Sequence, residues 1–362
     1  MASQLPHIHP DILRAHTLPG AFYGDAAWFL RQRELLARAW HLAPIDREAP
    51  APGHAEPWTM LPGCLDEPLV WTRDRTGARR CLSNVCTHRG NLVVAAPGAC
   101  DVLACTYHGR CFDLDGKLRA APGFTGVPGF PGDGDHLANV ATGSWAGLPF
   151  ASLDPAVPFA EWIAPLQQWL GSWADQPLPA APAWRADYEF DAHWALYVDN
   201  FLEGFHIPYV HPELQRTIDP DAYETQLLPG ATLQIAFSRP GEPTLALPAG
   251  HPHAGRAVAA YYVFLFPCTL LNFYPWGLSI NIVEPIGPHR TRIRYLQYVV
   301  RPELRGRGAG GALETVEQQD QAVVLATQRG VRARLYRGGR YAPDEERGVH
   351  HFHRLLLAAL GG

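Results

Sequence analysis

The sequence predicts an α+β protein with two domains, a small all-β domain and a larger domain in which helices flank an antiparallel sheet. Short strands broken by Gly and Pro run from about 44 to 155. Longer alternating strands follow up to residue 300, and an amphipathic helix is predicted over 313–330. Because 362 residues can form two cores, we expect the β domain at 44–155 and the second domain at 1–43 and 156–362.

The elements are predicted as follows, in chain order. Residues 17–43 read as helices that precede the β domain. Strands of the β domain are expected at 68–74, 80–86 and 111–119, and Asp115-Gly116 is a typical hairpin turn. A Pro-, Ala- and Trp-rich bridge is then followed by the elements of the second domain. These are strands at 185–198, 258–266, 277–285 and 291–300, and helices at 313–330 and 344–360.

Two short motifs in the β domain combine cysteine with histidine. They are Cys86-Thr87-His88 and Cys105-Thr106-Tyr107-His108. Two Cys and two His can hold one tetrahedral zinc ion, or a [2Fe–2S] cluster in which the cysteines bind one iron and the histidines the other. Zinc sites more often keep like ligands together. The alternation of one Cys and one His per loop therefore favours a Rieske cluster over zinc.

A second candidate metal site lies about a hundred residues further on. Glu203 and His206 are three residues apart, so on a helix they share a face with Asn200. Pro208 is expected to end that helix, and His211 follows in the turn beyond. Two such histidines suit a mononuclear ferrous iron whose third ligand is a carboxylate. The alternative is a histidine pair that merely satisfies the end of the helix.

The carboxylate ligand is expected on the helix at 313–330. Asp320 falls on the apolar face of that helix, where a charge is costly unless it is paired or bound to a metal. Glu314 and Glu317 lie nearer the side that we expect to be solvated. We therefore predict Asp320 as the ligand, with Glu317 as the alternative.

Composition excludes several classes of protein. The formal net charge of −5, the pI near 6.4 and the absence of a basic run argue against a nucleic-acid partner. The sequence contains no run of eighteen apolar residues, so no membrane span is predicted. The N-terminus lacks an apolar signal core, so a cytoplasmic location is expected. No GxGxxG motif follows a strand, so electrons are expected from a separate NAD(P)H-dependent reductase or a ferredoxin.

Together these motifs resemble the catalytic α-subunit of a Rieske non-haem iron oxygenase, over almost the whole chain. The phrases 199-DNFLEGFHIPYVHPEL-214 and 272-NFYPWGLSINIVEP-285 look most like the choline monooxygenase-like, quaternary-ammonium branch. The chain departs from the usual pattern at His193, where Asn is commoner, and at Arg110-Cys111, which replaces a common Trp. None of these departures removes a metal ligand.

The resemblance implies a Rieske [2Fe–2S] domain and a helix-grip, START-like catalytic domain. It implies a cluster on Cys86, His88, Cys105 and His108 and a mononuclear Fe(II) that activates O2. It also implies a head-to-tail homotrimer in which electrons cross to a neighbouring subunit's iron. Glu203 would be the bridge between His206 and a neighbour's cluster histidine, which makes Glu203 and Asn200 the candidate catalytic residues.

The expected substrate is a small quaternary ammonium compound that is hydroxylated or N-demethylated. The alternative is ring hydroxylation or O-demethylation of an aromatic acid. A different class of function is an electron-transfer protein with an idle iron site. Aromatic faces bind quaternary ammonium groups. Five aromatic residues near the motifs are therefore candidate pocket residues, although each could equally be a packing residue: Phe205, Tyr209, Phe273, Tyr274 and Trp276.

Overall fold

The computed structural model describes residues 5–176 and 178–361. The chain folds as two compact units, one formed by Met1–Leu36 and Ala160–Gly362 and the other by Ala37–Phe159. The boundaries of the smaller unit that the sequence predicts are residues 44 and 155. No helix of the described residues is long and apolar enough to cross a membrane.

The smaller unit is built of ten short strands, β1–β10. Seven of them form an antiparallel sheet in the order β1-β10-β9-β4-β3-β2-β5, and β6-β7-β8 form a second sheet. Cys86 and Cys105 belong to the hydrophobic core of this unit, with Leu82 and Phe112. The strands are β1 His41–Leu42, β2 His54–Met60, β3 Glu67–Arg73, β4 Arg79–Ser83, β5 Gly98–Ala99, β6 Leu103–Ala104, β7 Cys111–Phe112, β8 Leu118–Ala120, β9 Asn139–Trp145 and β10 Leu148–Ser152.

The larger unit contains one seven-stranded antiparallel sheet with the strand order β11-β17-β16-β15-β14-β13-β12. Its strands are β11 Trp184–Phe190, β12 Ile218–Leu228, β13 Ala231–Ser238, β14 Val258–Leu265, β15 Thr269–Tyr274, β16 Gly277–Gly287 and β17 Arg290–Val299. Every residue of β14 and β15 is buried, which fits their nearly continuous apolar sequences. The sheet is therefore covered on both faces.

Among the described residues, seven α-helices accompany the sheet. They are α1 Ala26–Ala37, α2 Phe159–Ala174, α3 Trp194–Phe201, α4 Ile207–Val210, α5 Pro212–Thr217, α6 Leu313–Val331 and α7 Arg347–Gly361. Helix α3 contacts α6, α7 and β16. An α+β fold with helices flanking an antiparallel sheet is confirmed.

The helix predicted to carry Glu203 and His206 ends earlier than expected. Helix α3 stops at Phe201, and the Leu202 N–H closes its last turn by donating to the Val198 and Asp199 carbonyls. Pro208 lies in the first turn of α4 instead of ending a helix, since its missing N–H costs nothing there. The prediction that one helix spans Asn200 to Pro208 is therefore wrong.

Candidate active site and cluster site

The two Cys–His loops share one backbone pattern. Each cysteine N–H donates to the carbonyl five residues later, at 2.8 Å in both loops. Each cysteine carbonyl accepts from a glycine N–H, that of Gly90 at 3.0 Å and that of Gly109 at 3.1 Å. Both glycines have φ of +73°, a left-handed conformation that side chains disfavour. The loops thus present their Cys and His donors in matching ways.

The donors of the two loops converge. The Cys86 and Cys105 side chains are buried, and the His88 and His108 rings lie 4.7 Å apart, centroid to centroid. The His88 Nδ1 atom is buried without a hydrogen-bond partner among the described residues. A buried ring nitrogen with no partner is costly unless a ligand satisfies it. The donor set therefore fits a cluster held by two thiolates and two imidazoles.

Arg110, one of the two departures beside the cluster motif, is a buried residue that links the loops. Its guanidinium lies over the rings of Phe124 and Phe130, at 4.5 and 5.1 Å from their centroids. Its Nη1 donates to Thr87 Oγ1 at 3.0 Å and lies 3.4 Å from Asp135 Oδ1. Since Thr87 stands between the Cys and His of the first loop, Arg110 connects the second loop to the first.

His206, His211 and Asp320 come together in the larger unit. The two Nε2 atoms are 3.1 Å apart. Asp320 Oδ1 lies 3.0 Å from His211 Nε2 and 3.4 Å from His206 Nε2. One ligand atom from each residue therefore falls within 4.8 Å of the others, as a mononuclear metal requires.

In each of the two histidine rings, the Nδ1 atom donates a hydrogen bond to an oxygen that can act only as an acceptor. His206 Nδ1 donates to Glu203 Oε1 at 2.6 Å, and Glu203 Oε2 accepts from the His206 backbone N–H at 2.9 Å. His211 Nδ1 donates to Gln319 Oε1 at 2.7 Å. Both Nε2 lone pairs are thus directed to the site. Nothing in the sequence around Gln319 distinguishes it from a surface glutamine, so its contact with His211 has no signal in the sequence.

The carboxylates around the two histidines favour a positively charged group at this site. Burial alone would lower the pKa of His206, but hydrogen bonds to Asp320 and Glu203 outweigh it and raise the pKa to about 9. Burial would raise the pKa of Asp320, but the two histidines lower it. A metal cation would satisfy the same carboxylates in place of the proton.

A cavity of about 610 Å³, counted with its open mouth, adjoins the three side chains. Asn200 and Glu203 line it as well. Its wall carries five aromatic rings, those of Tyr197, Phe201, Tyr223, Tyr262 and Tyr274.

Of the five predicted pocket aromatics, Tyr274 alone lies on this wall. Phe205 is 45% exposed and Tyr209 is 79% exposed. Phe273 points to the other face of β15, where it packs on Trp173, because neighbouring strand residues alternate. Trp276 is buried and stacks on Tyr274 at 5.4 Å. The structure thus places these four side chains outside the lining of this cavity.

Tyr223 also contacts the loop that carries Glu203. Gly204 lies so close to this ring that an added Cβ atom would come within 2.9 Å of two ring carbons. Real Cβ atoms do not approach that closely, so the residue between Glu203 and Phe205 has to be small. The aromatic wall and the Glu203–His206 segment are therefore in direct contact.

Glu317 is not on a solvated side of α6, and that expectation is wrong. Its Oε2 accepts from the hydroxyls of Tyr197 at 2.8 Å and Tyr295 at 2.6 Å, and its Oε1 accepts from Asn281 Nδ2 at 3.0 Å. Burial, and next the charge of Asp320, raise the pKa of Glu317 to about 7. These contacts hold Glu317 at the wall of the cavity but outside the His–His–Asp group.

Comparisons with known proteins agree with this architecture. Residues 180–362 match the family model of the ring hydroxylating alpha subunit (catalytic domain), and residues 59–131 match that of the Rieske [2Fe-2S] domain. The chain is 30% identical to the carnitine monooxygenase oxygenase subunit of Escherichia coli (strain K12), over 94% of this chain and 93% of that protein. It is 27% identical to the chloroplastic choline monooxygenase of Spinacia oleracea, over 98% of this chain and 80% of that protein.

Solved structures show the same fold. A structure of the quaternary ammonium Rieske monooxygenase CntA has a TM-score of 0.74 at 24% identity, with 97% of each chain covered. Naphthalene 1,2-dioxygenase from Rhodococcus sp. has a TM-score of 0.71 at 20% identity, with 94% of each chain covered. With one family model matching half of its length, this chain belongs to the Rieske non-haem iron oxygenases, as an α-subunit with a [2Fe–2S] domain and a mononuclear-iron catalytic domain.

Proposed function

We propose that this chain is the terminal oxygenase component of a system that hydroxylates or N-demethylates a small quaternary ammonium compound with O2. The observation that carries the proposal is the aromatic and acidic cavity beside His206, His211 and Asp320. Aromatic faces and carboxylates are the groups that attract a cation unable to donate a hydrogen bond. The relatives named for choline and carnitine monooxygenation support the same substrate class.

The side chains of this chain have separate tasks in that reaction. His206, His211 and Asp320 would hold the iron, and Cys86, His88, Cys105 and His108 would hold the cluster. When bound, the iron supplies open coordination positions for dioxygen and the cluster supplies single electrons. Glu203 and Gln319 fix the two histidine rings. The aromatic wall excludes water and positions the substrate methyl groups beside the iron ligands.

We further propose a homotrimer in which Glu203 carries the contact between subunits. One of its oxygens already holds the His206 ring. The other accepts the His206 N–H, and a carboxylate oxygen has room for a second donor, such as the partner's cluster histidine. One solved CntA structure is described in terms of inter-subunit electron transfer. A separate NAD(P)H-dependent reductase or ferredoxin would supply the electrons, and the cytoplasmic location stays a prediction.

A depletion screen with a surrogate reductase tests the proposed function. Choline, L-carnitine, glycine betaine and benzoate are each incubated with the enzyme, NADH and oxygen. We expect substrate loss and oxygen uptake to coincide for at least one quaternary ammonium compound. Turnover of benzoate alone would favour the aromatic-acid alternative. Enzyme with two irons per chain instead of three, and no turnover, would indicate an electron carrier with an idle iron site.

A further inference from the structure

We propose that Glu317 is the specificity-determining residue that faces the ammonium group, and that the cavity selects a quaternary ammonium cation without a carboxylate over a zwitterionic betaine. This inference rests on the proposed function, since it specifies which quaternary ammonium compounds the same cavity accepts. It concerns a residue that belongs to neither metal site.

Glu317 differs from the other carboxyl groups of the cavity in its partners. Glu203 is occupied by the ring and backbone N–H of His206, and Asp320 by the His206 and His211 rings. The partners of Glu317 are two tyrosine hydroxyls and one amide, all of them neutral. These donors orient the carboxylate without cancelling its charge. In its ionised form, Glu317 therefore places beside the cavity a negative charge that no basic side chain of the described residues offsets.

Burying the ionised Glu317 carboxylate costs free energy, and a bound cation would reduce that cost. Burial opposes the ionised form of Glu317, and the negative charge of Asp320 opposes it further. A cation in the cavity attracts the ionised Glu317 carboxylate, and a neutral molecule of the same shape does not. The charge on the substrate is therefore part of what the cavity recognises.

The aromatic residues that line the cavity with Glu317 are of the type that binds methylated ammonium groups. The Tyr262 and Tyr274 rings meet edge to face with centroids 6.0 Å apart, and Phe201 meets Tyr262 in the same way at 6.4 Å. Aromatic rings attract cations that approach their faces within about 6 Å. The cavity wall thus combines aromatic rings with one carboxyl group that no basic side chain pairs with in the described part of the chain.

No Lys or Arg lines this cavity among the residues that the structure describes. A substrate carboxylate held there would face Glu203 and Glu317 with no basic side chain to pair with it, and Asp320 would already be shared with the iron. An adjoining cavity contains Arg307, but it also contains Glu213 and Glu242. Even there, acidic residues outnumber the basic one. The charge distribution therefore disfavours a zwitterion.

Binding to the iron-loaded, oxidised enzyme without oxygen provides the test. Isothermal titration calorimetry compares choline, glycine betaine and 3,3-dimethylbutan-1-ol, a neutral carbon analogue of choline. We expect choline to bind at least about tenfold more tightly than either of the others. Glu317→Gln keeps the size of the side chain and removes its charge. This variant should lose about tenfold in choline affinity and less than about twofold for the neutral alcohol.

Glu314→Gln is the matched control, because Glu314 is an exposed carboxylate one turn earlier on α6. It should leave all three affinities unchanged. Glycine betaine binding as tightly as choline to the unmodified enzyme would overturn the inference, whether or not any variant folds. Equal weakening of choline and the neutral alcohol by Glu317→Gln would also overturn it, since that indicates a packing role. Benzoate is titrated as a fourth ligand, and its binding without binding of any ammonium compound would overturn the proposed function as well.

Discussion

Replacing Arg110 by alanine should destabilise the cluster-bearing unit. The side chain is 4% exposed, and it stacks on Phe124 and Phe130 while donating to Thr87. Each buried cation–π contact contributes about 1 kcal/mol, and a charged hydrogen bond contributes about 1.5–3 kcal/mol. The Asp135 side chain is 25% exposed, so it can regain water once its partner is removed. Allowing for this and for non-additivity, we expect a loss of about 3 kcal/mol in the free energy of unfolding.

The assay is thermal unfolding of the holoprotein, followed by the loss of the cluster's visible absorbance. A loss of about 3 kcal/mol in a unit of this size lowers the melting temperature by roughly 10 °C. Arg119→Ala is the control, because Arg119 pairs with Asp113 at 3.4 Å but their side chains are 59% and 46% exposed. Such surface pairs contribute about 0–1 kcal/mol. If both variants melt at the same temperature, Arg110 does not connect the two loops in the way described.

Three further predictions concern the mononuclear site. Asp320→Ala should lower the iron content from about three to about two atoms per chain and abolish turnover, since the cluster ligands are untouched; a full iron content would refute its role as a ligand. Glu203→Gln should retain all the iron but slow reoxidation of the cluster in single-turnover experiments about tenfold, because charge-assisted hydrogen bonds are lost. Normal single-turnover rates would reject the bridge. Gln319→Leu should weaken iron binding about 10–100-fold in chelator competition, since His211 loses the acceptor that orients its ring; unchanged affinity would show that the ring is held otherwise.

The sequence predicted the parts that depend on local spacing. Asp320 could be placed on the apolar face of α6 from the helical repeat alone, and it meets both histidines. Glu317 was assigned to a solvated side because the same repeat treats the opposite side of a helix as exposed. In the structure, a tyrosine on α3 and another on β17 both reach it. Contacts between elements so distant in sequence have no local pattern.

The aromatic residues of the cavity also could not be predicted from local spacing. Phe273 and Tyr274 are neighbours, and alternation along β15 sends one to each side of the sheet. Both are candidate pocket residues by their closeness to the motifs, although alternation along a strand allows only one of them to face the cavity. Tyr223 and Tyr262 lie far from the motifs and were not proposed at all. They reach the cavity wall because β12 and β14 each pair with β13.

The close contact between Gly204 and Tyr223 joins the wall of the cavity to the segment that aligns His206. The Tyr223 ring touches the cavity on one side and the peptide after Glu203 on the other. A ligand that presses on this ring presses on a segment whose two ends are fixed to each other by a 2.6 Å hydrogen bond. Tyr223 is therefore a side chain shared between the wall of the cavity and the segment that orients the His206 imidazole.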